Sequence, residues 1–152
     1  MPGRLVKRLR SGRYQLHLDG DERALLRGLP NQLRELLATD DPSLLRLFPT
    51  AYTDDPKREA EYQQLMRDDL LELHRGALDV MEETIDAVDL DEEQVTAWMK
   101  AINQMRLVLG TRLDVTEDLY EDGMDTNDAR APAFALYSYL GWLQEHIVQA
   151  LS

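Results

Sequence analysis

The chain has 152 residues, of which 17 are lysine or arginine and 29 are aspartate or glutamate, so its formal net charge at pH 7 is −12. This length is typical of one compact domain with its own hydrophobic core, and we expect a single domain over residues 1–152. Because the sequence contains no cysteine, it excludes a disulfide framework, a thiolate metal site and a thiol nucleophile.

Leucine dominates the apolar residues, with 27 leucines against 7 valines and 3 isoleucines. Since unbranched and γ-branched side chains lose less rotamer freedom in helices than β-branched ones do, the chain is predicted to be mainly α. The exception is the segment 1–18, where Tyr14, Leu16 and Leu18 alternate with polar residues after the turn Arg10-Ser11-Gly12. This alternation predicts a short N-terminal β-hairpin.

Apolar residues at helical spacing predict a bundle of about five helices over residues 21–113 and 131–151. The first helix is expected to kink or break near Gly28-Leu29-Pro30, and a short helical turn follows Asp41-Pro42-Ser43. A linker then leads to the aspartate and proline of Asp54-Asp55-Pro56, which are typical of a helix start.

The helix that begins there is predicted to be long and to reach about Val88. Its apolar stripe should consist of residues spaced by three and four, namely Met66, Leu70, Leu73, Ala77, Val80 and Thr84. Another helix runs from Asp91 to about Leu113. An acidic loop is predicted over 114–130, since Asp114–Asp128 holds seven acidic residues and no basic one.

The last helix, 131–151, carries apolar residues around nearly its whole circumference, so we expect it at the centre of the bundle. This apolar surface and the stripe of the long helix together suggest a homodimer, and a monomer is the equal alternative.

The sequence offers little support for catalysis. Its three histidines, His17, His74 and His146, belong to no HExxH or Glu-x-x-His pattern. Walker A, GxGxxG and GxSxG motifs are also absent. We therefore expect a non-enzymatic protein that uses no metal or other cofactor.

The charged residues Arg4, Lys7, Arg8 and Arg10 interrupt the first apolar residues, so no h-region of a secretory signal is found. No run approaches the roughly 18 apolar residues of a membrane span. We expect a cytoplasmic protein that does not contact the membrane.

Four polar residues fall beside the apolar stripes of two helices and are expected to form a structural polar network: Asp69, Asn103, Arg106 and Arg112. Large apolar residues flank Arg106, so its guanidinium should be partly buried and should find a carboxylate or carbonyl partner. Asp69 is expected to pair with Arg106 or Arg112. This structural role predicts that Arg106→Ala destabilises the fold.

The N-terminal hairpin is basic, with five cationic residues and no acid: Arg4, Lys7, Arg8, Arg10 and Arg13. We expect these residues to contact a partner or nucleic acid, or to pack on the acidic loop of the same chain or of a partner subunit. A basic ribbon can contact phosphates and enter a major groove of DNA. The net charge of −12 disfavours that alternative because it repels a polyanion.

Several short stretches of the chain carry a resemblance to a known family. They are Leu29-Pro30-Asn31-Gln32-Leu33, Leu47-Phe48-Pro49, Ala60-Glu61-Tyr62, Arg67-Asp68-Asp69-Leu70, the run from Asn103 to Leu113 (NQMRLVLGTRL), and Tyr139 to Glu145 (YLGWLQE). On these stretches the chain resembles, over almost its full length, the actinobacterial family catalogued as domain of unknown function 2017. The motifs are packing signatures rather than catalytic ones.

The resemblance implies an actinobacterial cytoplasmic protein whose gene often neighbours that of the Clp protease adaptor. Some members are named oxidative-stress transcriptional regulators, and those members sense oxidation through thiols. This chain has no cysteine to oxidise. The thiol route is therefore excluded for this sequence.

Two functions remain open. The first is a regulatory protein that binds another protein, such as a sigma factor or another transcription component, with DNA contact at most through the hairpin. The second is an accessory or adaptor factor in Clp-dependent proteolysis. A pull-down for transcription components and a reconstituted Clp degradation assay would separate the two.

Overall fold

A computed structural model describes residues 5–114, 125 and 127–152, and these residues confirm the mainly α prediction with its N-terminal hairpin. In chain order the elements are β1 (Val6–Arg8), β2 (Tyr14–Leu16), α1 (Gly20–Arg27), α2 (Leu29–Leu37), a 3₁₀ helix (Pro42–Leu47), α3 (Pro56–Glu83), β3 (Asp89–Leu90), α4 (Glu92–Leu113) and α5 (Ala131–Leu151). Most of the predicted acidic loop, 115–124 and 126, lies outside the described residues, as does Arg4 of the hairpin.

The hairpin extends into a three-stranded antiparallel sheet of order β1-β2-β3. Val6 pairs with Leu16, and Tyr14 pairs with Leu90 of β3, so that one face of the sheet buries apolar side chains against the helices. The sequence did not indicate β3 because two residues are too few to show an alternating pattern. Its pairing depends on where the chain places the segment between α3 and α4.

Aspartate caps fix where α1, α3 and α4 begin. Asp19 and Asp91 each form a capping box, accepting from the backbone amide of the third helical residue, whose side chain bonds back to the cap. Asp55 caps α3 ahead of Pro56. The predicted break near Gly28 is confirmed, since α1 ends at Arg27 and α2 begins at Leu29.

The long helix ends at Glu83 rather than near Val88. Thr84 follows it, and its Oγ1 donates to the carbonyl of Val80 and accepts from Trp98 Nε1 at 2.7 Å. This contact turns the chain toward β3 and α4.

The buried face of α3 also differs from the predicted stripe. Ala77, Leu78 and Met81 are buried, whereas Met66 and Leu73 are exposed. Adjacent leucines at 70, 71 and 73 permit more than one helical stripe, and tertiary packing selects the one through Leu78.

The centre of the bundle is occupied by α4, so the prediction of a central C-terminal helix is wrong. α4 packs against α3, α5 and the 3₁₀ helix, and buries Trp98, Ala101 and Ile102 completely. α5 buries Leu140, Leu143 and Ile147 along one side but leaves Trp142 49% exposed. The prediction failed because many of the apolar residues around α5 are aromatic, and aromatic side chains tolerate a half-exposed position.

Candidate functional site

Arg106 lies half-buried at the interface between α4 and α5. Its Cζ is 4.4 Å from the centroid of the Tyr137 ring, and its Nη1 donates to Gln144 Oε1 at 3.2 Å. A Cβ on Gly141 would lie 3.0 Å from Arg106 Nη2 and 3.1 Å from Cζ. The guanidinium therefore fills the space left by the missing side chain of Gly141.

Gly110 of α4 makes the reciprocal contact. A Cβ at this position would lie 3.3 Å from Cε2 of Tyr137, which projects from α5. Each helix thus offers a glycine to a large side chain of the other helix. This interlocking gives the RLVLGTRL and YLGWLQE stretches a packing role.

The predicted polar network is only partly assembled. Asn103 accepts from Gln144 Nε2 at 3.3 Å, so Gln144 links Asn103 to Arg106. The sequence prediction missed Gln144, although its position three residues after Gly141 places it on the same side of α5.

The expected pairing of Asp69 with Arg106 or Arg112 is not formed. Arg106 points toward α5, and Arg112 contacts the 3₁₀ helix near the C-terminal end of α4. Asp69 is exposed on α3 and, within the described part of the chain, makes no ion pair. The prediction failed because it rested on the apolar stripe of α3 that the structure does not bury.

Arg112 holds the start of the 3₁₀ helix on α4. Its Nε donates to Ser43 Oγ at 3.1 Å, and its Nη2 lies 3.2 Å from Asp41 Oδ2. Hydrogen bonds from Ser43, followed by the charge of Arg112, hold the pKa of Asp41 below its ordinary value. Arg112 therefore has a structural partner of its own.

Lys7, Arg8, Arg10 and Arg13 of the basic hairpin are exposed. Arg13 pairs with Asp89 of β3 through Nε and Oδ1 at 2.5 Å, and the Arg8 guanidinium lies over the ring of Tyr14 at 5.9 Å. One hairpin arginine is thus neutralised within the chain, by β3. Most of the acidic loop that this hairpin is expected to contact lies outside the described residues.

An open groove of about 830 Å³ lies between α3 and α4, and the sequence did not predict it. Its floor consists of small or apolar residues: Leu73, Gly76, Ala77, Val80, Thr96 and Ala97. Its rim carries four carboxylates and one ammonium group: Asp69, Glu72, Glu92, Glu93 and Lys100. Three residues of the predicted core stripe, Leu73, Ala77 and Val80, line this groove.

Leu73 is 70% exposed in this groove, and nothing lies within 4 Å of where a Cβ on Gly76 would be. The signal that could have revealed the groove is the pair Asp69 and Glu72, whose charges fall beside the supposed core stripe of α3.

The described residues contain no group of three or more histidine or acidic side chains placed to hold a metal ion. His74 Nε2 lies 2.9 Å from the carbonyl of Leu47, and its ring meets Phe48 edge-on. Of the helices that the structure describes, none is long and apolar enough to cross a membrane.

Fold and surface together define a mainly α protein with an exposed, acidic-rimmed apolar groove. The chain belongs to the DUF2017 family, a domain of unknown function, whose model matches residues 4–151. No solved structure matches it significantly.

Its relatives include mycobacterial proteins designated AosR. The Mycobacterium leprae protein is 30% identical over 136 residues, which cover 74% of this chain and 59% of the relative. The proteins from Mycobacterium bovis and from Mycobacterium tuberculosis H37Rv, both named oxidative stress regulator AosR, are 30% identical over 128 residues, covering 73% of this chain and 58% of theirs. The chain therefore spans less than three fifths of the length of these relatives.

Proposed function

We propose that this protein is a non-enzymatic regulator of a stress response that acts by binding another protein, with a component of the transcription machinery as the partner. The similarity to proteins named oxidative stress regulators supports the regulatory part of the proposal.

The observation that carries protein binding is the groove between α3 and α4. Its floor presents Leu73 and other apolar atoms to water, in a concave surface bounded by two helices. Covering such a surface with a partner is favourable because it removes apolar area from water. A helix pair with an open apolar groove is also a recurrent way to recognise a peptide.

The basic hairpin supports DNA contact less well. Arg13 is already paired with Asp89, and the chain as a whole carries a net charge of −12. Attraction of a polyanion to the cations of the hairpin is opposed by the repulsion of the whole molecule. We therefore assign the binding role to the groove side of the molecule.

Affinity capture from an actinobacterial lysate, with and without peroxide treatment, tests this proposal. We expect quantitative mass spectrometry to show enrichment of RNA polymerase subunits or a sigma factor over a tag-only control, and the enrichment to survive nuclease treatment. The triple variant Lys7→Glu, Arg8→Glu, Arg10→Glu should capture the same proteins. Absence of every transcription component, or loss of capture with nuclease or with the hairpin variant, would contradict the proposal.

A further inference from the structure

We infer that the groove between α3 and α4 binds a basic amphipathic helix of the partner protein, with apolar side chains on its floor and lysine or arginine at both ends. This inference rests on the proposed protein-binding function and adds the location and chemistry of the binding site.

The dimensions of the groove fit a short helix. Its α3 wall runs from Asp69 to Val80 and its α4 wall from Glu92 to Lys100. At about 1.5 Å per helical residue, these walls are roughly 16 Å and 12 Å long, which corresponds to two or three turns. An occupant of this length can place three or four apolar residues on one face.

Small residues on the floor leave room for large side chains of the occupant. Gly76, Ala77 and Ala97 line the groove, and the space above Gly76 is open. Leu73 stands beside this space as the largest exposed apolar group. A leucine or methionine from a partner helix could pack between Leu73 and the α4 wall, as side chains do where one helix packs on another.

The charges at the rim select a basic partner. The rim carries four carboxylates and only one ammonium group. None of these five groups forms an ion pair with another described residue. Because α3 and α4 are antiparallel, Glu92 and Glu93 lie at one end of the groove, and Asp69 and Glu72 lie toward the other. Lys100 lies on the side of Asp69 and Glu72 and leaves that end with an excess of negative charge. Cationic side chains about two turns apart on the occupant would meet both ends.

The same charges disfavour a symmetric dimer in which the grooves of two copies of this chain face each other. A symmetric contact would bring four carboxylates against four others, and like charges in close apposition are unfavourable. They argue equally against nucleic acid in the groove.

The test uses a capped synthetic peptide of 16 residues as the probe, with leucine at positions i, i+3, i+4 and i+7 and lysine toward both ends. Binding is measured by fluorescence anisotropy at low salt and at physiological salt. We expect Leu73→Ala to weaken binding about tenfold, as truncation of a central interface residue does. Leu65→Ala is the matched control, since Leu65 is 75% exposed on the same helix but lies outside the groove.

Two further variants separate packing from charge. Gly76→Leu should block binding by filling the floor. The double variant Glu72→Gln, Glu93→Gln should weaken binding and reduce its salt dependence. The matched double variant Glu61→Gln, Glu145→Gln, which removes the same charge outside the groove, should bind as the wild type does. A melting curve for each variant establishes that it is folded.

Equal affinity for the wild type and Leu73→Ala, or equal binding of a peptide in which every lysine is replaced by glutamate, would overturn the inference. The lysate capture distinguishes its failure from that of the proposed function. If Leu73→Ala and Gly76→Leu still capture the transcription component, the groove is the wrong site and the function stands. If the wild type captures none while the peptide binds as expected, the groove stands and the transcription partner is wrong.

Discussion

The central helix α4 is flanked by α5 on one side and α3 on the other, and its two interfaces are built differently. Against α5, both glycines at the interface receive a large side chain, Tyr137 on Gly110 and Arg106 on Gly141. Against α3, Gly76 has nothing within 4 Å of where its Cβ would be, and the interface opens into the groove.

The space beside a helical glycine is filled by a neighbouring helix at one interface and left open at the other. Glycine in a helix interior costs about 1 kcal/mol relative to alanine. At Gly110 and Gly141, close packing of α4 on α5 offsets that cost within the chain. At Gly76 no such contact offsets this cost. A glycine here leaves space on the groove floor for a side chain of the proposed partner helix.

The largest expected effect comes from the closed inner part of the α3–α4 interface, which is centred on Trp98. This side chain is fully buried, and its Nε1 donates to Thr84 Oγ1 at 2.7 Å. Trp98→Ala should lower the free energy of unfolding by about 3–5 kcal/mol through the cavity it leaves. Urea denaturation followed by circular dichroism measures this loss.

Trp142→Ala provides the matched control, because Trp142 is 49% exposed on α5. Its replacement should cost less than about 1 kcal/mol. Comparable losses for the two tryptophans would contradict the placement of α4 at the centre.

The second prediction sets the two kinds of glycine against each other. Gly141→Leu drives a side chain into the Arg106 guanidinium and should destabilise the protein by about 1–3 kcal/mol, the usual cost of overpacking. Gly76→Leu enters open space and should leave stability unchanged or raise it slightly, because leucine favours helix more than glycine does. Thermal unfolding of both variants measures the contrast, and equal losses would remove the distinction between the two interfaces.

Sequence patterns were sufficient for the elements whose signals are local. The alternation of Tyr14, Leu16 and Leu18 predicted the hairpin, and the aspartate and proline at 55 and 56 predicted the start of α3. The break at Gly28 was also predictable, since Pro30 cannot donate to the preceding turn.

Features that depend on tertiary placement were not predictable. The choice of α3 face required knowing which leucines meet α4, so Leu73 was assigned to the core instead of the groove. Asp69 was expected to pair with Arg106 or Arg112, whereas Arg106 donates to the side-chain carbonyl of Gln144 on α5. Both errors have one origin, because helical spacing determines a stripe only when apolar residues are confined to one face.

The third prediction concerns Arg106→Ala, which probes the closed interface from the α4 side. The variant loses the hydrogen bond to Gln144 and the stacking on Tyr137, and we expect a loss of about 1–2 kcal/mol. This loss is smaller than that for a broken buried ion pair, since the partner is a neutral amide. A double-mutant cycle with Gln144→Ala measures the coupling. An unchanged melting temperature would contradict the structural role.

The smallest predicted effect is the pH dependence of the contact between α4 and the 3₁₀ helix. Hydrogen bonds from Ser43 and the charge of Arg112 lower the pKa of Asp41 in the folded state. Since the folded state favours the carboxylate, the contribution of Asp41 to stability is fully present above the unfolded pKa, about 3.9, and is lost as the pH falls through the folded pKa.

Asp41→Asn should therefore lower the free energy of unfolding at pH 6. Between pH 5 and pH 2 this free energy should fall less steeply in the variant than in the wild type. Urea denaturation at several pH values measures this slope. Asp40→Asn is the control, because Asp40 is exposed and makes no side-chain hydrogen bond to another described residue. Asp86 retains its own lowered pKa beside Arg27 in both variants, so part of the acid sensitivity must persist. Parallel slopes for Asp41→Asn and the wild type would show that neither the Ser43 hydrogen bonds nor the Arg112 charge at Asp41 contributes to stability.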